Sequence, residues 1–131
     1  MSYDLMVFEP SRAPRDRAAF MEWYDRQTTW SEPHGYDDPS ATSPRLRAWY
    51  EVMIADFADM NGDLPDSAYD DPTITDYCIG RDVIYAGFRW SRAEEAYRAV
   101  RDRAEKHGVG FYDVSGNGEI WLPADAGPHG Y

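Results

Sequence analysis

The chain has 131 residues, a formal charge of −11 from 24 acidic and 13 basic residues, and 15% aromatic content. That length fits one domain, 1–131, with a core of its own, and the aromatic content excludes a compositionally disordered chain. The negative balance argues against nucleic acid as a partner, since phosphates need compensating cations; no run approaches the roughly 18 to 20 apolar residues that span a bilayer.

Tyr3–Phe8 opens the chain as a strand buried on both faces, and therefore central to a sheet. Pro10 and Pro14 punctuate its exit, and a helix is predicted from Arg15 to about Thr28 with Ala19, Phe20, Trp23, Tyr24 and Gln27 as its stripe. Trp30–Ser43 reads as a loop broken by Pro33, Gly35 and Pro39. Ser43-Pro44 then supplies an N-cap and a helix-initiating proline, ahead of Leu46, Trp49, Tyr50, Met53, Ile54 and Phe57 at helical spacing. A polar loop follows over Asp59–Pro72, long enough to suggest a functional role or disorder.

Thr73–Ile79 and Val83–Phe88 read as two strands joined at hairpin distance by Gly80-Arg81-Asp82. Ser91 and Glu94 have capping-box spacing for a helix running to about His107, where Gly108 suits a left-handed cap. Ala93, Ala96, Tyr97, Val100 and Ala104 form its inner stripe, and Glu94–Arg98, Arg98–Asp102, Arg101–Glu105 and Asp102–Lys106 are spaced as ion pairs on its outer side. Val109–Val114 and Glu119–Leu122 close the chain as a hairpin, with 127–131 a loose tail. The order β-α-α-β-β-α-β-β reduces to β-α-β-β-α-β when the second helix and last strand are removed. The expectation is an α+β fold, ferredoxin-like (split βαβ), with one antiparallel sheet, helices on one face, an extra helix and a C-terminal hairpin.

Charge is concentrated between Glu51 and Gly80, where eight carboxylates occur without a lysine or arginine. Glu51 and Asp56 fit the polar side of a helix, and Asp76 falls in a strand. The loop acids Asp59, Asp63, Asp66, Asp70 and Asp71 remain as a surface that would steer a basic partner by long-range attraction. Asp59-Met-Asn61-Gly-Asp63 places oxygens like a calcium loop, but Leu64 occupies the position that needs glycine. A second group, Trp30, Glu32, His34, Tyr36, Asp37 and Asp38, combines acids with the aromatic types that anchor interfaces. Its lone histidine is poor material for a zinc site. Ser115 sits in a hairpin turn rather than a nucleophile elbow, and Cys78 reads as an inert strand thiol, so neither catalysis nor a cofactor is expected.

Ser2-Tyr-Asp-Leu-Met-Val-Phe8 and Gly108-Val-Gly-Phe-Tyr-Asp-Val-Ser115 resemble the first and last strands of a group of small, uncharacterised bacterial proteins. Some similar acidic proteins look like immunity proteins of polymorphic toxin systems. The resemblance implies a bacterial cytoplasmic protein and carries no catalytic residue over. The lone Cys78 and an N-terminus without a basic, apolar leader fit that compartment. The expectation is a non-enzymatic binding protein, monomeric or homodimeric, that caps a basic protein such as a toxin. The alternative is a small-molecule-binding or enzymatic ferredoxin-like domain with an aromatic-lined pocket.

Overall fold

The computed structural model describes residues 2–30, 32, 35–62 and 70–123. Its strands are β1 (Tyr3–Phe8), β2 (Asp76–Ile79), β3 (Val83–Phe88), β4 (Gly110–Tyr112) and β5 (Ile120–Trp121). Its helices are α1 (Arg17–Gln27), α2 (Pro44–Met53) and α3 (Ala93–His107). The strands form one antiparallel sheet in the order β2-β3-β1-β4-β5. β1 is central, as its unbroken apolar run predicts, and Leu5, Met6, Val7 and Phe8 are fully buried.

Alternation along β1 feeds two separate cores. Tyr3, Leu5 and Val7 join Leu46, Trp49, Tyr50 and Met53 of α2 and Ala96, Val100 and Ala104 of α3. Met6 and Phe8 point to the other face and meet Phe20 and Trp23 of α1, with ring centroids of Phe8 and Phe20 5.1 Å apart. The expectation of helices on one face is thereby corrected: α1 covers the opposite face from α2 and α3. The cause lies in the stripes, since both apolar faces of a strand buried on two sides need a cover. α2, taken as the extra helix from the sequence, shares a face with α3, and Trp49 donates its indole N–H to the Val100 carbonyl at 3.3 Å.

Local signals hold at several ends and fail at one. Ser43 caps α2 through the Leu46 N–H at 3.4 Å, and Gly108 takes the left-handed φ of 68° that ends α3. Asp16, rather than a residue nearer Pro14, caps α1 through the Ala19 N–H at 3.0 Å. The Ser91–Glu94 capping box does not form: a short 3₁₀ turn over Trp90–Arg92 runs directly into α3, and Arg92 stands at the cap position with no side-chain cap bond. Arg92 instead pairs with Glu95 at 2.8 Å. Of the spaced ion pairs, Glu94–Arg98 closes at 3.8 Å, while Arg101 reaches across to Glu119 at 3.7 Å.

Gly110 in β4 lies under the Phe8 ring, and a Cβ added there would collide with that ring. Gly110→Ala is expected to lower stability by about 1–3 kcal/mol through overpacking. The readout is a reduced urea midpoint at unchanged m-value; a midpoint equal to that of the parent chain would show that Phe8 yields freely.

Candidate functional site

The α1-facing side of the sheet is apolar at one end and polar at the other. The register sets Asp4 opposite Gly87 and Gly87 opposite Asp76, with Met6, Tyr85 and Cys78 in the next row. Side chains of both rows emerge on the face that α1 covers. Gly87 has no side chain, so the floor between the two carboxylates is open. Tyr24 of α1, with its C-cap Thr28 and Trp30 just beyond, walls an open-mouthed cavity of about 310 Å³ over that floor, and Ser2 completes the rim. The size lies at the lower end of small-ligand sites.

Trp30 reaches this position at a backbone cost. Its φ of 53° is left-handed, a region that costs a bulky residue of order 1 kcal/mol. Ring contacts with Tyr36 at 5.0 Å and Tyr85 at 6.1 Å hold the indole there.

Asp4 is well supported. It accepts from the Tyr85 hydroxyl at 2.7 Å and from the Ser2 hydroxyl, while its N–H donates to Ser115 Oγ at 2.8 Å. Burial, then the bond to Asp4, push the Tyr85 hydroxyl to a higher pKa, and burial does the same to Tyr24. Burial also raises the Cys78 thiol, with the charges of Asp76, Asp4 and Asp59 adding to it, so Cys78 is a protonated thiol at neutral pH rather than a nucleophile.

Asp76 differs from Asp4. Among the described residues its carboxylate has no hydrogen-bond or ion-pair partner. Its pKa is raised by burial and then by the carboxylates of Asp59 and Asp4. Two carboxylates flank a bare floor beneath aromatic rings, and one of them lacks a counter-charge. Such a site suits an ammonium or guanidinium group, whose N–H donors meet the carboxylates while the rings stabilise its charge. Among the described residues no group of three or more His, Cys, Asp or Glu is placed to hold a metal ion.

The acids singled out from the sequence have separate fates. Asp59 is only 6% exposed; it accepts from the Tyr50 hydroxyl at 2.6 Å and the Asn61 N–H at 2.9 Å. It serves as a structural carboxylate, because the segment Ala58–Met60 pairs with Thr75 and turns the side chain inward. Asp71 is exposed and accepts from the Thr73 N–H and hydroxyl at 2.9 and 2.8 Å, bonds that hold its carboxyl below the usual range. Asp70 is exposed. Asp38 is exposed and caps the turn Pro39–Ala41 through Ser40, and Asp37 beside it is also exposed. Glu32 accepts from the Arg81 N–H at 3.0 Å and donates its own N–H to the Tyr36 hydroxyl at 2.6 Å. The Tyr36 carbonyl accepts from the Ile79 N–H at 2.8 Å, so this loop is fastened to the end of β2. His34, Asp63, Asp66 and the tail 127–131 lie outside the described residues.

Of the described sequence candidates, only Trp30 lines the cavity. Asp4, Tyr24, Asp76, Cys78, Tyr85 and Gly87 were missed as a group, although the single polar residue in the apolar run of β1, Asp4, marks the place. No protein-family model matches the chain, and neither a curated protein nor a solved structure matches it significantly.

Two stability changes of opposite sign are expected here. The raised folded-state pKa of Asp76 means that the folded chain holds this proton to a higher pH than the unfolded chain does. Stability is therefore lost as pH rises from the ordinary carboxylate value through the raised one. Asp76→Asn should raise the Tm at pH 7, with the gain vanishing below the carboxylate range; an unchanged or lower Tm at pH 7 would mean that Asp76 is compensated. Asp59→Ala, by contrast, should cost about 1.5–3 kcal/mol by stranding the Tyr50 hydroxyl, whereas Asp70→Ala should stay within about 0.5 kcal/mol of the parent chain by urea denaturation.

Proposed function

We propose that this chain is a non-enzymatic binding protein that captures a basic protein partner by taking an arginine or lysine side chain into the cavity above Gly87. The observation that carries this reading is Asp76, an exposed carboxylate at the rim of the cavity whose electrostatic neighbours are themselves carboxylates. A partner's cation supplies the charge that this site lacks. The exposed acids Asp37, Asp38, Asp70 and Asp71, in the segments flanking β2, add a negative field that speeds encounter.

The sharpest form of the reading is an immunity-type inhibitor that caps the basic active site of a bacterial toxin, a task that needs a complementary surface and no chemistry. The fold belongs with this proposal as a ferredoxin-like variant. Its support is the order β2-β3-β1-β4, in which β1 and β2 run parallel with β3 between them, and β3 and β4 run parallel with β1 between them. α2 and α3 lie within those two crossovers and share one face. A second reading, a site for a free small molecule, is favoured by the cavity itself with its Trp30, Tyr24 and Tyr85 walls. No described helix is long and apolar enough to cross a membrane.

Titration with N-acetylargininamide, followed by intrinsic tryptophan fluorescence, tests the cation site. Saturable binding is expected at about millimolar Kd, the range for so small a ligand. Asp76→Asn should weaken it about tenfold, Trp30→Ala about threefold or more, and added salt should weaken it further. An absence of saturation, or an Asp76→Asn chain that binds as well as its parent, would contradict the reading.

A further inference from the structure

We propose that the site takes an extended segment of its partner, with a basic side chain in the first cavity and a neighbouring apolar side chain in a second. This rests on the cation-binding reading above and specifies what surrounds the cation. The second cavity, about 420 Å³, shares Ser2, Asp76 and Gly87 with the first, so the two meet over Gly87. Its other walls are Met60, Ile74, Phe88 and Arg89.

The two halves differ in chemistry. The first cavity holds Asp4 and the aromatic wall beside the shared Asp76. In the second, Met60 is 36% exposed, one of three large hydrophobic side chains at the described surface that remain so open. An apolar group resting on Met60 is removed from water, and that removal favours association. The preferred occupant is therefore one basic residue flanked by an apolar one that rests on Met60.

Gly87 keeps the passage open. A Cβ at this position would meet Asp4 Oδ1 at 3.3 Å and the Ser2 side chain at 3.5 Å, narrowing the junction between the cavities. A lone ammonium compound has no use for this connection, whereas adjacent side chains of an extended peptide alternate in direction and reach separate pockets. Charge at the shared acidic floor therefore selects the basic residue, and Met60 selects its neighbour.

Isothermal titration with three capped peptides tests the proposal: acetyl-Leu-Arg-Leu-amide, acetyl-Gly-Arg-Gly-amide and acetyl-Leu-Gln-Leu-amide. Leu-Arg-Leu should bind about tenfold tighter than Gly-Arg-Gly, the gain from covering one apolar side chain. It should also bind about tenfold tighter than Leu-Gln-Leu, which lacks the cation. Met60→Ala should bring Leu-Arg-Leu to within about twofold of Gly-Arg-Gly while leaving Gly-Arg-Gly unchanged. Met60 is exposed enough that circular dichroism of the variant should match the parent chain. Equal affinities for the two arginine peptides, with Met60→Ala silent and Asp76→Asn still weakening both, would overturn the extended segment and leave the cation pocket standing. Failure of both arginine peptides to bind would remove the cation pocket and the extended segment together.

Discussion

Leu5, Met6, Val7 and Phe8 have no exposed surface, and β1 is hydrogen-bonded to β3 on one edge and β4 on the other. A strand so placed forces a helical layer on each side of the sheet. α2 and α3 supply one layer with Trp49 and Met53, Ala96 and Val100. α1 alone supplies the other, and its buried anchors Phe20 and Trp23 pack over Phe8 at the far end of the strand from Asp4. The apolar cover therefore stops short. Beyond it the sheet turns polar, and the cavity opens between Tyr24, Thr28 and Trp30 above and Gly87 below. The site is a consequence of one helix covering only part of a face.

That opening explains why charges collect there without canceling. Asp4 is held by two hydroxyls, and Ser115 clamps its backbone from the last turn, its N–H donating to the Asp4 carbonyl at 3.0 Å and its hydroxyl accepting from the Asp4 N–H. Asp76 on the outer strand has no such support among the described residues. A carboxylate held near others of its kind works against folding, and marginal stability gives no reason to retain it. The proposed function does: the acid that costs the folded state would hold a partner's cation, which links the pH dependence of stability to that proposal through one side chain.

Much of the local structure was legible in the sequence. The periodicities and caps marked five strands and three helices, because Pro44, Gly108 and the alternating apolar runs act within a few residues of themselves. The hairpin spacing at Gly80-Arg81-Asp82 even implies that Asp76 and Cys78 face Gly87 and Tyr85. The pairing of β1 with β3 joins residues some eighty positions apart, and no local rule supplies its register. Without that register the row Asp4–Gly87–Asp76 is invisible. The acids that charge counting groups together have separate partners in the structure: Asp56 pairs with Arg103, Asp59 accepts from Tyr50 and Asn61, and Asp71 secures its own turn. Asp76, the acid on which the proposed function rests, reads from the sequence only as a strand residue.

The central claim is that a cation belongs between Asp4 and Asp76. A crystal structure of the chain with acetyl-Leu-Arg-Leu-amide tests it most directly. The account predicts density for the guanidinium over Gly87, within about 3 Å of the Asp76 carboxylate and beneath the Trp30 ring. A peptide seated elsewhere on the surface, with the cavity above Gly87 holding only solvent, would contradict it.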